Sequence, residues 1–161
     1  MSEPMKDLLE KVDAELQVHF PEVHASLQPS VTEERLQALE SLLECQALPE
    51  DLAMLYRWHD GQGGGYSLNQ NDNRSFLSVE EVLDAWDFLN DPEEDVKPPI
   101  SPTWLPIFYN GAGDYLMYET AEADRGRLIA YWHDADDRSV EHESLESLVM
   151  AVWESARKKK E

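Results

Sequence analysis

The sequence predicts an α+β fold in which a central, mostly antiparallel β-sheet is packed by N-terminal and C-terminal helices. Apolar residues recur at helical spacing near both ends, strand-like runs lie between them, and two runs flank a tight turn at residues 110–114. Helices and strands that are grouped along the chain are typical of α+β domains. A length of 161 residues fits one globular unit. We expect an N-terminal helical extension over residues 1–29, followed by a domain over residues 30–157.

Three helices are predicted in the first sixty residues. The first has Pro4 in its first turn, where proline is favoured, and it ends before Pro21. Its apolar face is formed by Met5, Leu8, Leu9, Val12 and Leu16. The second begins at Ser30, which has capping-box spacing to Glu33. The third is opened by Pro49.

A glycine-rich loop, residues 61–65, follows the third helix. Glycine occupies four of these five positions and allows backbone angles that other residues avoid. Short strands are expected at residues 66–68 and 75–77. A fourth helix is predicted to begin at Ser78, which has capping-box spacing to Glu81. The acidic, proline-rich residues 90–103 are then expected to form a loop.

The centre of the chain predicts a β-hairpin. Strands over Trp104–Tyr109 and Asp114–Thr120 flank Asn110–Gly113, whose residue types suit a tight reversal. Alternation predicts Leu105 and Ile107 on one face of the sheet and Trp104 and Phe108 on the other. A strand over residues 128–132, an acidic turn over 134–137 and a short strand near Val140 are expected next. The closing helix has an apolar face of Leu145, Leu148, Val149, Val152 and Trp153.

Charge narrows the class of partner. The chain has 34 acidic and 13 basic side chains, a net charge of −21. This sign opposes binding to nucleic acid or to an anionic membrane, and it favours a basic protein partner. The alternative is that the acidic surface only maintains solubility. No run approaches the roughly 18 apolar residues that a membrane span needs, and the one cysteine, Cys45, is interpreted as a small core residue. We expect a cytoplasmic protein.

No segment carries a specific catalytic signature. The glycine-rich loop lacks the Gly-Lys-Ser/Thr ending of a P-loop. His59–Asp60 and His133–Asp134 resemble metal-binding pairs, but neither has a third histidine at helical spacing, and a catalytic metal needs three or more ligands. We therefore expect no catalytic residues, no metal and no cofactor. A metal-dependent hydrolase that uses the His-Asp pairs is kept as the alternative from another class.

Five segments in order resemble the Smi/Knr-type family of the SUKH superfamily. They are an acidic helix that ends near Leu48–Pro49, a Leu-Tyr…Asp-Gly pattern over 55–61, Phe76–Glu81, Trp104–Ile107 with 111–114, and 129–134 before the closing helix. The motif positions are Pro49, Gly61, Trp104, Pro106, Gly111 and Gly113. Each segment alone is a weak signal, and their shared order gives the resemblance its specificity.

The resemblance implies an α+β binding module without catalytic residues. Known members include fungal cell-wall assembly regulators and bacterial proteins regarded as immunity proteins against toxins. We therefore expect a non-enzymatic protein-binding module, most concretely an immunity protein that neutralises a basic, nuclease-like toxin domain. A regulatory scaffold of the cell-wall type is the alternative.

Acidic side chains in loops are the candidate contacts for such a partner. Loops at the ends of a packed sheet present side chains that the scaffold holds in place. The candidate partner-binding residues are Asp60, Asp72, Asp114, Asp134, Asp136 and Asp137.

Overall fold

The computed structural model describes residues 2–43 and 47–157. The helices are α1 (Ser2–His19), α2 (Pro21–Ser26), α3 (Glu33–Glu40), α4 (Glu50–Trp58), α5 (Val79–Leu89) and α6 (Leu145–Arg157). The strands are β1 (Ser75–Phe76), β2 (Trp104–Tyr109), β3 (Tyr115–Glu119), β4 (Leu128–Tyr131) and β5 (Val140–His142). Short 3₁₀ turns follow α3, at Ser41–Leu43, and β3, at Glu122–Asp124. Cys45, interpreted from the sequence as a core residue, lies outside the described residues.

The five strands form one antiparallel sheet in the order β1-β2-β3-β4-β5. Neighbours in the sheet are also neighbours along the chain. The main core lies between one face of this sheet and the helices, and α1 packs against α2, α4 and α6. A smaller core of Leu89, Met117, Ile129 and Tyr131 is completed by Val96 and Ile100 of the 90–103 loop. The predicted α+β fold is confirmed.

The start of α5 is capped as the sequence predicts. Ser78 Oγ accepts a hydrogen bond from the Glu81 amide at 3.2 Å, and Glu81 Oε1 accepts one from the Ser78 amide at 2.8 Å. This reciprocal pair satisfies two amide groups that the helix cannot pair internally. Pro49, at the start of α4, is buried at the position that precedes the first helical residue.

The predicted cap of α3 is wrong by two residues. Thr32 caps this helix, because its Oγ1 accepts a hydrogen bond from the Arg35 amide at 3.2 Å. Val31 is buried and donates its amide to the Tyr56 carbonyl oxygen at 3.0 Å. This contact with α4 keeps the chain extended beyond Ser30, so the helix begins later than the local pattern indicates.

Residues 66–68 do not form the predicted strand. Ser67 Oγ donates to the Asn69 carbonyl oxygen at 3.0 Å, and Gln70 Nε2 donates to the Ser67 carbonyl oxygen at 2.8 Å. Such local side-chain bonds favour a turn over a sheet ladder. Leu68 is nevertheless buried, so the apolar residue that suggested a strand contributes to the core from a turn.

The central hairpin is confirmed, and a β-bulge changes the face of one predicted residue. β2 and β3 pair antiparallel, with a register shift between Pro106 and Phe108. Pro106 has no amide hydrogen to donate to the ladder, and bulges are among the places where a strand tolerates proline. One extra residue reverses the alternation. Phe108 therefore joins Leu105 and Ile107 in the main core, while Trp104 packs on the opposite cluster as predicted.

The hairpin turn has the backbone that its glycines indicate. Gly111 and Gly113 have φ of 84° and 96°. Asn110 Oδ1 accepts hydrogen bonds from the amides of Ala112 at 2.8 Å and Asp114 at 3.2 Å. Within the described ranges, none of the helices is both long and apolar enough to cross a bilayer.

Candidate functional site

The six candidate aspartates fall into two environments. Asp60 and Asp114 are buried, with 7% and 8% of their surface exposed, while Asp72, Asp134, Asp136 and Asp137 are exposed. A buried carboxylate is costly unless it is paired or accepts hydrogen bonds. Asp60 and Asp114 therefore need hydrogen-bond partners within the fold, whereas the four exposed aspartates can contact solvent or a partner.

Asp60 connects the end of α4 to the start of α5. Its Oδ1 accepts a hydrogen bond from the Val79 amide at 2.8 Å, and its Oδ2 lies 3.4 Å from Arg35 Nη1. A carboxylate near a helix N-terminus also interacts favourably with the helix dipole. Asp60 thus adds a cap to α5 from outside the helix.

Gly61 allows the chain to pass close to this cap. Its φ is +79°, and a Cβ atom there would lie 2.4 Å from the backbone nitrogen of Ser78. Gln62 then fixes the loop to β1, because its amide donates to the Phe76 carbonyl oxygen at 2.9 Å and its Oε1 accepts from the Phe76 amide at 2.8 Å. The glycine-rich loop is therefore anchored at its start.

Asp114 fixes the hairpin turn to the end of β4. Its Oδ1 accepts hydrogen bonds from the His133 amide at 2.9 Å and from His133 Nδ1 at 2.8 Å. Its Oδ2 accepts from Asn110 Nδ2 at 2.9 Å. Burial alone would raise the pKa of Asp114, but these hydrogen bonds outweigh burial and lower its pKa below the ordinary value. The hydrogen bond that His133 donates to Asp114 raises the pKa of His133 in turn.

The two His-Asp pairs have different contacts in the structure. His59 contacts Asp13 Oδ1 at 3.0 Å and the Gln28 carbonyl oxygen, while its neighbour Asp60 turns towards α5. His133 and Asp134 come together with Asp114, and one potential ligand atom from each lies within 4.8 Å of the others. Hydrogen bonds within the protein already engage both Asp114 oxygens and one His133 nitrogen.

The acidic loop after β4 is held in place by one arginine. The Arg138 guanidinium lies 4.0 Å from the centre of the Tyr131 ring. It donates to the carbonyl oxygens of Ala135 at 2.9 Å and Lys97 at 3.0 Å. Asp134, Asp136 and Asp137 are exposed on this anchored loop, so their charge is presented to solvent from a fixed segment.

A second acidic surface lies on α5 and the loop that follows it. The chain has no Lys, Arg or His between Arg74 and Lys97. The exposed acidic residues of this segment are Glu80, Glu81, Asp84, Asp87, Glu93, Glu94 and Asp95. Phe88 lies among them with 46% of its surface exposed. The sequence prediction missed this surface, although the acidic residues at 80, 84 and 87 have the spacing of one helix face.

A groove of about 640 Å³ opens between the glycine-rich loop and the hairpin turn. Its lining includes Tyr66, Asp72, Glu81, Tyr109 and Asn110. Of these, only Asp72 was a candidate from the sequence. The sequence indicates Glu81 only as part of a helix cap, and no local pattern relates Tyr66 to Tyr109. The groove therefore exists because the fold brings two distant turns together.

A search of curated proteins finds no match to the chain. A family model described as the SMI1 / KNR4 family (SUKH-1) matches residues 30–150. The matched range includes the glycine-rich loop, α5, the hairpin and the acidic loop after β4, and it begins after α1 and α2. This match extends over well more than half of the chain and includes the glycine-rich loop and the hairpin turn. The protein therefore belongs to the SMI1/KNR4 family (SUKH-1).

Proposed function

We propose that this protein is a non-catalytic, cytoplasmic binding module that recognises a basic protein. Most concretely, it would be an immunity protein that neutralises a basic, nuclease-like toxin domain. The observation that carries the proposal is the set of exposed carboxylates on two segments, the α5 face and the loop after β4, in a chain of net charge −21. Membership of the SMI1/KNR4 family supports a binding role. We also propose that residues 1–29 are an extension of the family domain over 30–157.

The physical role of these carboxylates would be to speed encounter. Complementary charge can raise association rates to about 10⁸–10⁹ M⁻¹s⁻¹ at low salt, compared with about 10⁵–10⁶ M⁻¹s⁻¹ without steering. Exposed charges act over roughly 8 Å at physiological ionic strength. Carboxylates close to the surface that contacts the partner therefore increase the association rate most. Asp60 and Asp114, being buried, would contribute chiefly by holding the loops that carry the exposed groups.

The steering proposal predicts a salt-dependent association rate. Changing Asp134, Asp136 and Asp137 together to Asn should lower the association rate on the order of tenfold at low ionic strength, and it should flatten the salt dependence. Dissociation should change less, because exposed charge mainly affects encounter. Where a gene next to this one encodes a toxin-like domain, stopped-flow association with that domain measures both rates.

A matched variant separates local steering from net charge. Asp7→Asn, Glu10→Gln and Glu22→Gln remove the same charge from exposed positions of α1 and α2, before the matched range. If this control slows association as much as the loop variant, the steering surface is not the loop after β4. If neither variant nor added salt changes the rate, the acidic surface acts only in solubility. If the protein does not protect cells that express the toxin domain under test, the alternative, a regulatory scaffold, is favoured.

Because Asp114, His133 and Asp134 lie close enough to hold a metal ion, we retain a metal-dependent hydrolase as an alternative function. We expect purified protein to hold no stoichiometric transition metal, and we expect His59→Ala and His133→Ala to leave partner binding intact. Elemental analysis measures the first expectation and the binding assay the second. About one zinc per chain, lost in His133→Ala and retained in His59→Ala, would make the hydrolase the leading function.

A further inference from the structure

The groove between the glycine-rich loop and the hairpin turn has two tyrosines in its lining. We call it the tyrosine groove and define it by Tyr66, Asp72, Glu81, Tyr109 and Asn110. Tyr66 has 40% of its surface exposed, and its carbonyl oxygen accepts a hydrogen bond from Ser75 Oγ of β1. The loop that carries this tyrosine is therefore fixed to the edge of the sheet.

Tyr109 stands at one end of a row of tyrosines that crosses the sheet. It is paired in register with Tyr115 of β3, which is paired with Tyr131 of β4. The rings of Tyr109 and Tyr115 stack at 4.6 Å, and those of Tyr115 and Tyr131 lie 6.3 Å apart. The row holds Tyr109 in a defined position, and a fixed aromatic ring is a low-entropy contact for a ligand.

The far end of this row already binds a guanidinium. Arg138 lies over the Tyr131 ring at 4.0 Å and donates to surrounding carbonyl oxygens. This combination of a ring face with nearby acceptors is the usual environment of a bound arginine. The groove offers the same combination at the Tyr109 end, with carboxylates as acceptors and no guanidinium of the described chain among its lining residues.

The two charged side chains that line the groove, among the described residues, are Asp72 and Glu81. Each is oriented by one backbone amide: Asp72 Oδ1 accepts from the Arg74 amide at 3.0 Å, and Glu81 Oε1 accepts from the Ser78 amide at 2.8 Å. In the described part of the chain, no hydrogen bond is seen to the second oxygen of either carboxylate, which leaves it able to accept one. A planar guanidinium has five donors and can therefore bond to more than one carboxylate acceptor.

We propose that the tyrosine groove is a recognition site for an arginine side chain presented by the protein partner. The arginine would lie against the tyrosine rings and donate to Asp72 and Glu81. This inference rests on the proposed function only in taking the partner to be a basic protein. It adds a specific contact that would slow dissociation, whereas the exposed loop charges speed association.

The test uses a defined probe, the peptide acetyl-Gly-Arg-Gly-amide, and its citrulline analogue, which has nearly the same shape without the charge. Amide chemical shifts of ¹⁵N-labelled protein are followed during titration at low salt. We expect the arginine peptide to bind about fivefold more tightly than the citrulline peptide. The largest shifts should fall on Gly64, Gly65, Asn110 and Gly111, which line the groove.

The matched variants preserve the fold's own hydrogen bonds. Asp72→Asn with Glu81→Gln removes both groove charges and keeps an oxygen acceptor for each amide, since glutamine also serves in a capping box. This variant should bind the two peptides equally within about twofold. Glu93→Gln with Glu94→Gln removes the same net charge from an exposed loop and should keep the preference for arginine.

Three results would overturn the proposal: equal binding of the two peptides, shifts centred outside the groove, or loss of the arginine preference in the Glu93/Glu94 control. The peptide test does not involve a toxin. Arginine binding that persists after the toxin-domain experiments fail would leave the groove assigned without that partner. Conversely, failure of the peptide test would leave the steering experiment unaffected.

Discussion

Replacing Gly61 by alanine is expected to lower the free energy of unfolding by about 4 kcal/mol, a loss that reflects backbone strain together with a steric clash. The glycine has φ of +79°, and the new Cβ would lie 2.4 Å, 2.7 Å and 2.9 Å from three backbone atoms of Leu77 and Ser78. Those atoms immediately precede α5, and Asp60 accepts a hydrogen bond from the adjacent Val79 amide. The clash therefore has to be relieved by moving backbone, and urea denaturation followed by circular dichroism would measure the cost.

Two other glycines of the same loop provide matched controls. Gly65 also has a positive φ, +91°, but a Cβ there would meet nothing within 4 Å, so Gly65→Ala reports backbone strain without a clash. Gly64 has neither feature, and Gly64→Ala should change stability by less than about 0.5 kcal/mol. We expect the destabilisation to decrease in the order Gly61, Gly65, Gly64. Equal effects at Gly61 and Gly65 would contradict the close approach of the loop to α5.

Replacing Asp114 by alanine is expected to cost about 2–3 kcal/mol, because three donors lose a buried acceptor. The donors are the His133 amide, His133 Nδ1 and Asn110 Nδ2, all within 2.9 Å of a carboxylate oxygen. Asp136→Ala, at an exposed position of the nearby acidic loop, should change stability by less than about 0.5 kcal/mol. Chemical denaturation of both variants at neutral pH makes the comparison.

The stabilisation by this pair depends on pH in opposite directions for Asp114 and His133. The pKa of Asp114 is lowered from its ordinary value of 3.8, so its contribution is present above that pH and is lost as pH falls through the lowered pKa. The pKa of His133 is raised from 6.5, so its contribution is present below that pH and is lost as pH rises through the raised pKa. The stability difference between the wild type and Asp114→Asn should therefore be largest between pH 3.8 and 6.5. A difference that is constant from acidic to alkaline pH would show that the pair does not couple to folding.

Local patterns predicted the parts of the fold that local chemistry determines. The capping box of α5 depends on Ser78 and Glu81 alone, and the hairpin turn depends on Asn110 and its two glycines. The true cap of α3 depends on the contact between Val31 and Tyr56, which are far apart in sequence. The bulge that brings Phe108 into the main core depends on how β2 pairs with β3. Neither contact has a signature within a short window of sequence.

The candidate site follows the same division. The sequence indicates where acidic loops occur, and Asp134, Asp136 and Asp137 are exposed on such a loop. It does not indicate that Asp60 and Asp114 are buried acceptors, because their partners Val79, Arg35 and His133 come from other elements. It also does not relate Tyr66 to Tyr109, which line one groove because the folded chain places the glycine-rich loop beside the hairpin turn. Charge was therefore predictable, and the geometry that organises the charge was not.

The packing of α1 against α6 affects how the chain folds during translation. The five strands pair only with sequence neighbours, so the sheet can assemble progressively as it leaves the ribosome. The apolar face of α1 includes the fully buried Val12 and Leu16, and α6 is its most extensive partner. Until α6 has been synthesised, α2 and α4 cover only part of that face, and exposed apolar surface of this kind favours association with chaperones. Closure of the helical layer therefore requires α6, and contacts so distant in sequence slow folding. A ribosome stalled before α6 should display a formed hairpin and a protease-sensitive first helix.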